Sequence, residues 1–145
     1  EKGIFSLLKL VENFDFDFDL QIVGSTKKII SKNKNVKFCL ETSNINKLIN
    51  YFDNSNIFIL PSYTEGAPKV ILESLSRLRP IIIFQDISHV KKNMKGIFVC
   101  KRNTKSLQTT IMYIIKNYKK IQSEMKKNSI PTKYEFQNKI EKIIK

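Results

Sequence analysis

The chain has 145 residues, 41% of them hydrophobic, which suits one domain with a substantial core. Its longest apolar run, Ile81-Ile82-Ile83-Phe84, is strand-sized and far short of the ~18 residues of a membrane span; Glu1-Lys2-Gly3-Ile4 does not read as a basic-then-apolar export signal. The net charge of +13 does not mark a nucleic-acid binder: residues 1–90 are close to neutral, with 11 basic and 10 acidic side chains, and residues 91–145 carry 15 basic against 3 acidic, so +12 of the charge lies in the last third.

Apolar residues at Ile4-Phe5, Leu7-Leu8, Val11 and Phe14 recur at helical spacing and predict an amphipathic helix over 4–14. Leu20 to Gly24 then reads as a strand closed by glycine. A basic segment, expected to be helical, leads to a second strand over Val36 to Leu40. Ile45, Leu48, Ile49 and Phe52 mark a helix that Asn44 is suited to cap. Ile57 to Leu60 is a buried strand stopped by Pro61, and Val70, Ile71, Leu72 and Leu75 belong to a helix entered through Pro68. Pro80 opens the strand Ile81 to Phe84, and Ile97 to Cys100 is the last strand. Leu107, Ile111, Ile114, Tyr118, Ile121 and Met125 step along one face of a long helix. After Pro131, Phe136, Ile140 and Ile143-Ile144 suggest a closing helix.

Strands separated by helices need crossover connections, so the fold expected is α/β, a Rossmann-like parallel sheet flanked by helices. Ligands of such sheets sit beyond the carboxyl ends of the strands, which directs attention to the loops after Val23, Leu40, Leu60 and Phe84.

The loop after Leu60 is the richest: Pro61-Ser62-Tyr63-Thr64-Glu65-Gly66-Ala67-Pro68-Lys69, followed by Glu73. Gly66 lets backbone approach a ligand without an intervening side chain. Pro68 suits the first helical position, where its missing N–H costs nothing. The N–H groups of Ala67 and Lys69, with the positive helix end, then favour an anion such as a diphosphate. Glu65 precedes the helix and Glu73 lies about one and a half turns inside it, a spacing that does not make a coupled acid–base pair. Each carboxylate has the acceptor geometry for the vicinal hydroxyls of a ribose or hexose. The plainer reading is two surface acids near a helix start.

This constellation resembles the family 4 glycosyltransferases, of the GT-B architecture with two Rossmann-like domains. Their C-terminal domain carries an apolar strand, Pro-Ser, a Glu, a small-residue loop and a second Glu, present here as Pro61-Ser62, Glu65-Gly66-Ala67-Pro68 and Glu73. Lys2-Gly3 before an amphipathic helix is similar to the family's Lys-Gly element, Leu20 to Gly24 to the strand and glycine that follow, and Lys95-Gly96-Ile97-Phe98-Val99 to its late Gly-apolar strand. The match runs from about residue 2 to residue 128.

The resemblance implies a single donor-binding domain over 1–145, with a family core over 1–128 and a C-terminal helix over 129–145. The acceptor-binding domain, the first strand of this one and a phosphate-binding arginine are expected to lie before residue 1. It implies sugar transfer from a UDP- or GDP-sugar to a glycan or lipid-linked acceptor, with retention of configuration and no cofactor or metal. Lys2, on the diphosphate, and Glu65, on hydroxyls of the transferred sugar, are the implied catalytic residues. Gly24, Gly66, Ala67, Pro68 and Lys69 are implied to line the donor site, and Glu73 to bind the ribose. The sequence departs from the family pattern in having Leu78 where a glycine commonly ends the helix after Glu73, and Gln85-Asp86-Ile87-Ser88-His89 where many members carry Gly-Gly.

Three features are given a structural reading. Asp15-Phe16-Asp17-Phe18-Asp19 looks like an Asp-x-Asp metal motif, but the alternation more simply turns Phe14, Phe16 and Phe18 inward and the acids outward. His89, the only histidine, has no spaced partner for metal or triad chemistry and reads first as a surface loop residue, with approach to the donor from the loop after Phe84 as the alternative. Cys39 and Cys100 are expected to be reduced packing residues of a cytoplasmic protein. The lysine-rich end reads either as codon bias with solvated helix faces or as a surface drawn to a polyanion or to anionic lipid at the inner face of a membrane. The rival to an enzyme half is a non-catalytic binding module or truncated gene product.

Overall fold

The computed structural model describes residues 3–24 and 29–130. Along them run α1 (Ile4–Val11), β1 (Leu20–Val23), β2 (Val36–Cys39), α2 (Ile45–Asp53), β3 (Phe58–Leu60), α3 (Lys69–Ser76), β4 (Ile81–Phe84), a 3₁₀ segment (Gln85–Lys91), β5 (Ile97–Cys100), α4 (Thr104–Lys116) and α5 (Tyr118–Met125). Every strand pairing is parallel. Among the described residues the strands form two sheets rather than one: β1 with β2, and β3, β4 and β5 in that order.

The core is built around β4, whose four residues Ile81 to Phe84 are each fully buried. Paired on both edges and covered on both faces, such a strand needs no polar alternation, and each side chain contributes about 1.5–3 kcal/mol of burial. Leu7 and Val11 of α1, Ile71 and Leu75 of α3, Leu107 and Ile114 of α4, and Ile121 and Met125 of α5 close over it.

Residues 29–35 are not helical, contrary to the expectation for the basic segment. The stretch has no helical apolar stripe, and its short polar side chains bond to nearby backbone instead: Asn33 N–H to Ser31 Oγ at 3.1 Å and Asn35 N–H to Asn33 Oδ1 at 2.9 Å. The long helix after Leu107 is two helices, broken at Asn117 (φ −108°, ψ 17°), whose amide side chain donates to Tyr113 O at 2.9 Å. The apolar stripe survives the break because α5 continues the same buried face. Asn44 caps α2 as expected, accepting from Lys47 N–H at 3.2 Å. Phe14, Phe16 and Phe18 are half-buried, the acids between them exposed, and the rings pack with Phe14 4.9 Å from Phe16 and 5.2 Å from Phe18. The helix expected beyond Pro131 lies outside the described residues.

Candidate functional site

The Pro61–Pro68 loop leaves the carboxyl end of β3 and feeds α3. Ser62 is 1% exposed, and its hydroxyl donates to Glu65 Oε1 at 2.7 Å. His89, from the 3₁₀ segment after β4, places Nε2 2.8 Å from Glu65 O. A carbonyl only accepts, so this contact assigns the proton to Nε2. Glu65 is thus fixed through both its carboxylate and its backbone. Glu73 is exposed on α3. Pro68 stands one place earlier than expected: it is the N-cap residue (φ −70°, ψ 112°), and α3 begins at Lys69. As a cap it offers no side-chain acceptor, so the first-turn amides of α3 gain none from it. Gly66, Ala67 and Lys69 are exposed, and a Cβ on Gly66 would meet no atom within 4 Å.

Gly3 brings the start of α1 against this loop. Its φ is +65°, and a Cβ there would fall 1.8 Å from Pro61 O. Only glycine permits both the left-handed backbone and that approach. Lys2, the neighbouring candidate, lies outside the described residues. Gly24 (φ +142°) ends β1, so it belongs to the two-stranded sheet and not to the sheet that carries Glu65 and Glu73.

Sequence reasoning missed Arg102. It follows β5, and its side chain is 14% exposed. Nη1 donates to Pro61 O at 3.0 Å, Nη2 to Ser62 O at 3.0 Å, and Nε and Nη2 to Asp86 Oδ2 at 3.1 and 2.8 Å. The guanidinium lies 3.9 Å from the ring centroid of Tyr63 and 4.2 Å from that of Phe84. One side chain therefore ties together the carboxyl ends of β3, β4 and β5. Close by, burial pushes the Cys100 thiol up to about 11, against the opposing pull of Arg102, so it is a packing residue as expected. The one available signal was compositional. Arginine is rare here, and where lysine is the chain's default, a guanidinium marks a place needing several directed donors.

Among the described residues no three His, Cys, Asp or Glu side chains are grouped to hold a metal. A shallow concavity of about 560 Å³ lies at the opposite, entering end of β5, lined in part by Lys92, Lys95, Phe98, Tyr113 and Lys120. It contains none of the candidate donor residues. No helix among the described residues is long and apolar enough to cross a membrane.

The family "Glycosyl transferases group 1" matches residues 1–131. The crystal structure of Anabaena HepE in complex with UDP is similar in fold, with a TM-score of 0.64 and 15% sequence identity over 86% of this chain. That of HepE in complex with UDP-glucose has a TM-score of 0.66 and 16% identity, again over 86% of the chain. The match spans 39% and 38% of those chains, so this chain corresponds to well under half of HepE's length. No curated protein matches the chain. The likeness to HepE establishes the α/β fold, parallel sheets flanked by helices as in GT-B glycosyltransferases.

Proposed function

Since the chain belongs to the Glycosyl transferases group 1 family, we propose that it is the donor-binding, C-terminal domain of a family 4 glycosyltransferase. Such an enzyme transfers a sugar from a UDP- or GDP-sugar to a glycan or lipid-linked acceptor with retention of configuration. The observation that carries this reading is the Pro61–Glu73 segment. A carboxylate locked by a buried serine and the start of an uncapped helix meet at the carboxyl end of β3.

In this reading Glu73 accepts from the ribose hydroxyls and Glu65 from hydroxyls of the transferred sugar. The amides of Gly66, Ala67 and Lys69, with Lys2, face the diphosphate, and Gly24 lies along the nucleotide. The anomeric carbon–oxygen bond to the diphosphate breaks as the acceptor oxygen bonds to that carbon on the same face. The acceptor's proton passes to the departing phosphate oxygen. This scheme needs no protein base. It needs donors and cations where negative charge accumulates on the leaving group, which is electrostatic catalysis.

A peripheral contact with anionic membrane is the second element of the proposal. It is supported by exposed Met112, Tyr113 and Ile115 on α4, close in sequence to Lys116, Lys119 and Lys120. In this reading the protein sits at the cytoplasmic face of a membrane.

Calorimetric titration of the chain with UDP, GDP and their glucose conjugates tests the donor reading. Binding of one nucleoside diphosphate, lost when free phosphate or uridine replaces it, is expected. A folded chain that binds none of them contradicts it and favours the non-catalytic module.

A further inference from the structure

We infer that Arg102 is the positioning residue of the Glu65 loop: by drawing the carbonyls of Pro61 and Ser62 onto one guanidinium, it sets the direction in which Glu65 is presented. The inference rests on the reading of that loop as the sugar-nucleotide site, and no family motif in the sequence points to this arginine.

The geometry excludes direct work on a ligand. Of the five guanidinium N–H groups, four donor contacts are accounted for by Pro61, Ser62 and Asp86, and the guanidinium carbon lies over the rings of Tyr63 and Phe84. Asp86 neutralises the charge at 2.8 Å. Little is left to offer a phosphate. What the side chain does instead is geometric. β3 ends at Leu60 and α3 begins at Lys69, so eight residues connect them. At the start of that connection two consecutive carbonyls turn toward the same cation. The peptide planes of Pro61-Ser62 and Ser62-Tyr63 are thereby fixed, and with them the Cα–Cβ direction of Ser62. Ser62 Oγ in turn holds Glu65 Oε1 at 2.7 Å. The chain of constraint runs from Arg102 through two carbonyls to Ser62 and then to the carboxylate.

Phe84 ends β4, the most buried strand, Asp86 follows it in the 3₁₀ segment, and Arg102 follows β5, so the brace joins the loop to the ends of two central strands. A lysine in its place has one nitrogen and no plane. It cannot serve both carbonyls and Asp86 at these angles, nor present a planar cation to the rings of Tyr63 and Phe84.

Arg102→Lys, Asp86→Asn and wild type are compared by ¹⁵N relaxation of the unliganded chain and by titration with UDP and UDP-glucose. Expected in Arg102→Lys are order parameters for residues 62–67 falling from about 0.85, the value of rigid backbone, to below about 0.6, while Ile81 to Phe84 do not change. Asp86→Asn, which leaves the arginine in place, moves the same residues in the same direction to a smaller extent, and decides the matter if Arg102→Lys does not fold. With ligand, Arg102→Lys lowers the affinity for UDP-glucose relative to UDP by about tenfold, and has no further effect on that ratio once Glu65 is changed to Gln. A loop as rigid in the folded variants as in wild type overturns the inference whatever the ligand does. An unchanged affinity ratio beside a loosened loop overturns the link to Glu65. A wild-type chain that binds neither nucleotide defeats the donor-site reading instead, with the relaxation result still deciding whether Arg102 braces the loop.

Discussion

The hydroxyl of Ser62 donates to Glu65 Oε1 across 2.7 Å from a position 1% exposed to solvent. A buried donor committed to a carboxylate only three residues away makes the loop's conformation and the carboxylate's direction one property. Ser62→Ala removes the donor without adding bulk. A hydrogen bond to a charged group is worth about 1.5–3 kcal/mol, and the remaining contacts of Glu65 offset part of that. Urea unfolding is expected to show a loss of about 1–2 kcal/mol, and titration a weaker hold on UDP-glucose than on UDP.

Gly3 admits no side chain. An alanine there combines a left-handed φ of +65° with a Cβ 1.8 Å from a backbone oxygen, and neither is relieved by rotating a side chain. Gly3→Ala is expected to cost about 2 kcal/mol or more and to shift the amide resonances of Ser62 to Gly66. A thermal midpoint equal to wild type would show that α1 does not abut the loop.

Asp53 sits at the end of α2 and bonds Arg77 through Nε at 2.9 Å and through Nη2, while its carbonyl accepts from Arg79 at 2.9 Å. The Arg77 hydrogen bond holds its carboxyl below the ordinary value of 3.8, with burial opposing. A depressed folded value means that the stabilisation is fully present above the unfolded pKa, close to 4, and is lost as pH falls through the lower folded value. Asp53→Asn should therefore be less stable than wild type at pH 7, and the difference should shrink as pH falls below about 4 and vanish below the lower folded value. Thermal melts between pH 2.5 and 7 check this.

How much was legible follows from what each signal measures. Each of the five strands among the described residues was visible because short apolar runs lay between turn residues, and β4 showed as unbroken Ile-Ile-Ile-Phe because both its faces are covered. The Ser62–Glu65 motif was visible as sequence because its members are three residues apart. The break at Asn117 was not, since a hydrophobic stripe continues across a kink that buries the same face. Leu78 stands where glycine is common, and it takes φ +54°, the left-handed residue after the helix. Glycine is the usual choice there because a side chain costs ~1 kcal/mol or more. Arg102 was invisible because its partners, Pro61, Ser62 and Asp86, are distant along the chain and two of the three are backbone carbonyls, which leave no trace in side-chain chemistry.

Glu65 and Glu73 carry the central claim, and one set of titrations tests it: wild type, Glu65→Gln and Glu73→Gln, each against UDP and UDP-glucose. Ribose is common to both ligands, so Glu73→Gln should weaken both by about tenfold or more, from the loss of charge-assisted hydrogen bonds of about 1.5–3 kcal/mol. The transferred sugar is present in one alone, so Glu65→Gln should bind UDP within about twofold of wild type while losing affinity for UDP-glucose by about tenfold. Two variants that respond identically, or a Glu73→Gln chain that binds UDP as wild type does, would contradict the assignment.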